Sequence, residues 1–258
     1  MEVTNEWVGK VADEIPDPEI TALGLTGSHA TGDAIEFSDV DISRFAKTLP
    51  HHLADRSYLK IVDGFLVSCA TTSIEAKKEE LTKSASAIWA VPGLRKMRIV
   101  RDRDGELGGL IDDAKNFEWA PLQTQADSRA SRDLCEFVEE AHNIMRGMSG
   151  GDKLLTALTL MWFVLGMTKV VAVHRGVMID SDNTYFAQVQ DSVGQDSPWS
   201  QNHRAASGVG TAHLNDRARA EISLFVETAR LIDSALLPEH REVTDHTLAL
   251  IDRTGLTG

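Results

Sequence analysis

Between Leu23 and Phe45 the chain reads LGLTGSHATGDAIEFSDVDISRF, and this stretch restricts the possible folds more than any other. An apolar run stops at Gly27-Ser28, a second glycine follows at Gly32, and ten residues after Ser28 comes Ser38-Asp39-Val40-Asp41-Ile42. From Asp39 onward acidic and apolar residues alternate with the period of a β-strand. Both carboxylates therefore leave one face, about 7 Å apart at the backbone, while Val40 and Ile42 face a core. The preceding run, Ile20 to Thr26, reads as a buried strand, and the glycine between them marks a strand-to-helix turn.

Such a turn carries chemistry. Backbone amides at the start of a helix point outward, and a missing side chain at Gly27 lets a phosphate approach them. The Ser28 hydroxyl adds one donor. Two carboxylates beside this cradle form the hard oxygen set that Mg²⁺ favours when it also coordinates substrate phosphates. Gly27→Val is accordingly expected to impair triphosphate binding more than stability.

The rest of the first half supports a mixed sheet with helices. Helical spacing runs from Asn5 to Ile15, where Pro16 and Pro18 end it. A second strand is expected over Asp39–Phe45, a third over Leu59–Ala70 and a short one over Arg98–Val100. Helices are expected over Ile74–Ala87 and Glu106–Phe117, with turns at Pro92-Gly93 and Asp102–Gly105. After Trp119-Ala-Pro121 the periodicity becomes helical, with candidates at Ser131–Arg146, Lys153–His174, Asn183–Gln190 and Asp216–Leu236, and a loop at Ser149-Gly-Gly-Asp152. A domain boundary is placed near Pro121, giving domains 1–121 and 122–258.

Composition narrows the function classes. At 258 residues, 42% apolar and 25% charged, the chain can bury a core without disulfides. Cys69 and Cys135 stand apart and read as buried thiols of a reducing cytosol. The formal charge of −13 argues against a nucleic-acid binder, which needs a basic footprint, and favours a cationic partner. The opening MEVTNEWVGK has no basic segment leading into an apolar stretch, so a cytoplasmic location is expected. Leu154–Val173 is long and apolar, but Lys169 interrupts it; the expectation is a buried helix at the centre of a bundle rather than a membrane span.

Gly27-Ser28, the ten-residue interval and Asp39-x-Asp41, together with Ala30, Gly32 and Ser38, resemble the signature of the polymerase-β-like nucleotidyltransferases. Residues 94–118, with the Asp-x-x-Gly turn, are similar to the closing part of the catalytic domain in aminoglycoside nucleotidyltransferases. The resemblance implies an α+β fold, with a nucleotidyltransferase domain built on a mixed sheet flanked by helices, followed by an all-helical acceptor-binding domain. It implies Mg²⁺ held by Asp39 and Asp41, a nucleoside triphosphate such as ATP as co-substrate, and transfer of AMP to a hydroxyl of a small cationic acceptor of the aminoglycoside antibiotic type.

Family members usually carry a third acid on the next strand, whereas Phe65–Cys69 has none. Asp63 and Glu75 flank that strand, each with an equal claim to be a solvated strand-end charge. In the kanamycin-modifying branch the resemblance implies a glutamate on the first helix of the helical domain. Glu136, Glu139 and Glu140 share one face of a continuous helix there at i, i+3 and i+4, and Glu139 is ranked first, then Glu136. An exposed acidic stripe is the competing reading. Lys153 is the candidate phosphate cation, with Lys169 and Arg146 as others, because positive charge stabilises departing pyrophosphate. His29 is expected beside the nucleotide. Trp119 and Trp199 are candidates for a cleft lining, and Trp162 is expected in the core. Two other functions share the signature: an antitoxin that transfers AMP to a partner protein, which the long helical half disfavours, and a catalytically silent nucleotide-binding regulator, which the missing strand acid favours.

Overall fold

The computed structural model describes residues 2–15, 20–49, 56–211 and 213–256, and the chain divides into two compact units, Met1–Glu118 and Trp119–Gly258. The first unit is α+β. Its five-stranded mixed sheet has the order β3-β4-β2-β1-β5, from strands β1 (Ile20–Thr26), β2 (Val40–Ala46), β3 (Ser57–Val62), β4 (Phe65–Thr72) and β5 (Arg98–Asp102). Among the described strands only the β2–β4 pair is parallel.

Burial on both faces explains the sheet. Leu23, Leu25, Val40, Ile42, Val67 and Cys69 pack with Val8, Val11 and Ala12 of α1 (Asn5–Asp13). Thr4 caps that helix, its hydroxyl accepting the Trp7 amide. Pro16 and Pro18, expected to end the helix, lie outside the described residues. Ala22 and Phe45 of the other face pack with Ile74, Leu94, Leu107, Leu110 and Ile111. These come from α3 (Ile74–Leu81), α4 (Ser84–Lys96) and α5 (Glu106–Lys115). A four-residue α2 (Ser28–Thr31) follows β1.

Three expectations in this unit differ from the structure. The strand expected over Leu59–Ala70 is a hairpin, β3 and β4, turning at Asp63 (φ 51°) and Gly64 (φ 87°). Paired positive φ values at Asp-Gly are the preferred two-residue hairpin geometry. The helix expected over Ile74–Ala87 is two helices. Ser73 starts the first, accepting the Ala76 amide at 3.1 Å, and Thr82 ends it. Pro92-Gly93 lies inside α4 rather than in a turn. Burial of Ile88, Val91 and Leu94 there outweighs the one backbone bond that proline forfeits.

The second unit is helical: α6 (Gln123–Glu136), α7 (Val138–Gly150), α8 (Lys153–Arg175), α9 (Tyr185–Val193), α10 (Pro198–Ala206), α11 (Leu214–Leu231) and α12 (Pro238–Thr254). The helix expected over Ser131–Arg146 breaks at Phe137, whose ring lies where a side chain at Gly166 of α8 would stand and meets Phe163 edge-on at 5.7 Å. Ser149 and Gly150 end α7 instead of forming a loop; Gly151 turns left-handed, and Asp152 caps α8 through the Leu154 and Leu155 amides. The expected Asp216–Leu236 helix ends at Leu231. Helices α10 and α12 carried signals that sequence periodicity passed over: Ser197-Pro198 and Leu237-Pro238, each with proline in the first turn. Ser131 Oγ accepts the Leu237 amide and contacts His240 Nδ1, both at 2.9 Å, fastening α12 to α6.

A buried polar chain joins α8, α9 and α10. Arg204 donates to Gln190 Oε1, Gln190 Nε2 donates to His203 Nδ1, and His203 Nε2 meets Thr168 Oγ1 at 2.8 Å, whose hydroxyl donates to the Val164 carbonyl. That direction requires a neutral imidazole carrying its proton on Nε2. Burial, then the Arg204 charge, push the His203 pKa down to about 4. In α11, Glu221 is fully buried with neither carboxyl oxygen hydrogen-bonded, and burial pushes its pKa up to about 9.

These two groups act oppositely on stability. The lowered His203 pKa contributes stability that is present above about pH 6.5 and is lost as pH falls towards 4. The raised Glu221 pKa contributes stability that is present below about pH 4.5 and is lost as pH rises towards 9. Between pH 6.5 and 9 only the Glu221 effect remains. Urea unfolding across that range should show stability weakening with pH, by at most about 1.4 kcal/mol per unit from this residue, and Glu221→Gln should flatten the slope. An unchanged slope in the variant would exclude a neutral, buried Glu221.

Candidate functional site

In the first unit the antiparallel pairing of β1 with β2 sets Thr26 opposite Asp41, so Gly27, the next residue, turns beside the Asp41 carboxylate. The contact is tight. A Cβ on Gly27 would stand 2.5 Å from Asp41 Oδ2, and the backbone there, φ 67° and ψ −162°, lies in a region essentially reserved for glycine. Gly27 thus leaves room for the Asp41 carboxylate, which the sequence did not reveal. Ser28 and His29 open α2, where the first amides of a helix have no partner within it. Gly32 closes the turn with its amide on the Ser28 carbonyl, and Ser38 Oγ accepts the Ile35 amide, tightening the loop before the acidic pair.

Val40 and Ile42 are buried, and Asp39 and Asp41 are partly exposed. Burial first, then the charge of Asp39, raise the Asp41 pKa; the Ser68 hydrogen bond and His29 act against this. A carboxylate strained in this way by dehydration and a like charge is relieved by a cation.

The parallel β2–β4 register puts Ser68 beside Asp41, and the β3–β4 hairpin puts Leu59 beside Ser68. The strand neighbour of Asp41 on β4 is therefore a serine, not an acid. Two residues before Ser68 on β4, Leu66 pairs with Ile61. Leu59, Leu66 and Ile61 are exposed on the same face as the acids, two strands or roughly 10 Å across for Leu59.

The flanking acids separate. Asp63 lies at the hairpin turn on the aspartate end of the sheet, where its carboxylate accepts the Trp7 indole proton at 2.9 Å. Glu75 is in the first turn of α3, past the opposite end of β4, and is removed from the site by the length of that strand. His29 is held edge-on to Phe65 at 5.8 Å and reaches Asp41 electrostatically. Among the described residues no group of three or more His, Cys, Asp or Glu side chains forms a metal cluster. Mg²⁺ commonly takes one or two carboxylates and completes its shell with phosphate and water, so the Asp39–Asp41 pair fits it.

The remaining candidates belong to the helical unit. The break at Phe137 puts Glu136 at the end of α6 and Glu139 and Glu140 in the first turn of α7, so they do not share one continuous helical face. Glu136 and Glu139 are exposed; Glu140 accepts from Asn143. Lys153 is the exposed first residue of α8, and Arg146 is exposed on α7. Lys169 instead pairs with buried Asp133, which also binds Arg129. Trp199 is buried and donates to Thr228, Trp119 donates to Gln123 and packs over Gly176, and Trp162, expected in the core, is exposed. Cys69 is buried and Cys135 partly so, both as free thiols.

No family model matches the chain, and no curated protein matches it. Among solved structures it is similar to the crystal structure of a nucleotidyltransferase-like protein from Exiguobacterium sibiricum 255-15, with a TM-score of 0.51 and 12% identity over 89% of this chain and 74% of that one. At that identity the likeness is one of fold: a nucleotidyltransferase-like α+β arrangement with a helical carboxy-terminal part.

The Gly27–Asp41 contact is open to a double-mutant cycle. Gly27→Ala should cost about 1–3 kcal/mol of stability from backbone strain, revising the expectation that substitution here would mainly affect binding. Asp41→Ala should relieve the steric part, so the double variant is expected to lose less than the sum of the singles. Additive losses in urea unfolding would show that glycine is required here for the backbone alone.

Proposed function

We propose that the protein transfers a nucleotidyl group, AMP from ATP being the first candidate, to a hydroxyl of a small molecule. The observation that carries this reading is the convergence of the Gly27-Ser28 turn on Asp41, with Asp39 one strand period away. Asp39 and Asp41 would hold Mg²⁺, which when bound with the triphosphate offsets the charge that develops on departing pyrophosphate. In the reaction the acceptor oxygen bonds to the α-phosphorus as the bond to the bridging oxygen of pyrophosphate breaks, and the acceptor proton passes to a base.

In-line displacement sets the two oxygens on opposite sides of the phosphorus. With the leaving group over Gly27 and Ser28, the acceptor approaches from β4 and β3, where Ser68 offers a hydroxyl and Leu59, Leu66 and Ile61 offer an apolar surface for ring carbons. An aminoglycoside-type antibiotic is the specific acceptor proposed; the charge of −13 supports a cationic one. Glu139, then Glu136, are the proposed bases on the strength of the sequence resemblance, and Lys153, exposed at the start of α8, is the proposed phosphate cation because positive charge stabilises departing pyrophosphate.

Asp39→Asn and Asp41→Asn should each abolish Mg²⁺-dependent pyrophosphate release from ATP and an aminoglycoside panel. Because burial raises the Asp41 pKa, its ionisation opposes folding at neutral pH, and Asp41→Asn should keep or raise the Tm while activity is lost. Wild-type rates in either variant would remove the metal assignment. Glu139→Gln should lower kcat about a hundredfold with little change in nucleotide affinity, and Glu136→Gln is the control. A defect confined to Glu136→Gln would exchange their roles. Wild-type protein that binds Mg²⁺-ATP yet transfers to no acceptor would favour the silent regulator, and AMP labelling of a co-purified protein would favour the protein-modifying reading.

A further inference from the structure

Helix α8 is apolar on both sides: Leu160, Phe163, Val164 and Met167 are buried in the helical unit, yet its outer side is apolar as well. Thr156, Thr159 and Thr168 are buried in the helical unit, each donating its hydroxyl to a backbone carbonyl four residues earlier. The exposed side carries Leu154, Leu158, Met161, Trp162 and Leu165, with Leu154 83%, Met161 66% and Trp162 61% exposed. At helical spacing these five fall within an arc of about 100° and extend about 17 Å along the axis. A helix whose outer face meets only water carries polar and charged residues there.

We infer that this face of α8 is the contact surface of a homodimer, in which α8 packs antiparallel against α8 of a second copy. Area is the first argument. Five large side chains exposed to this degree present on the order of 600 Å² of apolar surface, at the top of what a monomer leaves bare, and two copies together reach about 1,200 Å², the lower bound of a stable interface. Self-complementarity is the second. Antiparallel pairing about a two-fold axis sets Leu154 against Leu165 and Leu158 against Met161, with Trp162 flanking the centre, where aromatic anchors contribute most to binding.

Charge is the third argument. No Asp, Glu, Lys or Arg occurs from Leu154 to Thr168, so self-pairing desolvates no charge within the stripe. A lipid surface fits less well: α8 is long and apolar enough to cross a membrane, but 56% of its most apolar window is buried in the protein, and a net charge of −13 is repelled by anionic headgroups.

Sedimentation equilibrium of the full chain should give twice the monomer mass of 28.2 kDa at micromolar concentration. Trp162→Glu and Leu158→Glu, which set like charges near the axis, should each raise the dimer dissociation constant on the order of a hundredfold with an unchanged far-UV spectrum. Leu158→Cys should cross-link to its copy under mild oxidation, giving a test that does not rely on a disrupting variant. A monomeric wild type at all concentrations, or a dimer that survives both glutamate variants and leaves Leu158→Cys uncross-linked, would overturn the proposal. So would a monomer that co-sediments with phosphatidylserine vesicles.

Discussion

The first unit depends on how closely Asp41 is pressed between β1 and β4. The antiparallel register that pairs Thr26 with Asp41 drives the turn after β1 against the carboxylate, and the parallel register with β4 brings Ser68 to its other side. Only a residue without a side chain fits at Gly27. Val40 and Ile42 anchor the arrangement by packing beneath it with α1. The sheet holds a partly buried carboxylate next to a second acid, so the local electrostatics oppose the ionised state. A cation beside the pair would offset the repulsion and dehydration that raise the Asp41 pKa.

In the helical unit polarity is distributed unevenly. Its core accepts a complete hydrogen-bond chain through His203, in which each proton has one assignment, and a carboxyl at Glu221 that burial keeps protonated. Its surface keeps the apolar stripe of α8. Threonine hydroxyls can enter the core because each donates its proton to a backbone carbonyl one turn back.

Periodicity made the strands of the first unit legible, but pairing did not follow from it. The alternation at Asp39–Ile42 announced which residues face inward, and the apolar run at Ile20–Thr26 announced a buried strand. Asp63-Gly64 was a hairpin signal inside a stretch read as continuous, and neither glycine nor proline marks the place where α3 gives way to α4, at Thr82 and Lys83. Phe137 shows a different limit. No glycine, proline or cap stands there, and the break coincides with the room that Gly166, on α8, leaves for its ring.

The sequence by itself determined the local layout of the candidate site: two carboxylates one strand period apart, preceded by a glycine turn, leave one face and form an oxygen set of the kind hard cations take. Those properties are local, set by the backbone period and by the lack of a side chain. What only the tertiary structure decided was which residues share that face from other strands. Ser68 beside Asp41, Asp63 tied to Trp7, Glu75 at the opposite end and Trp162 in solvent all follow from register and packing, which join residues far apart in the chain and leave no mark in the spacing of either partner.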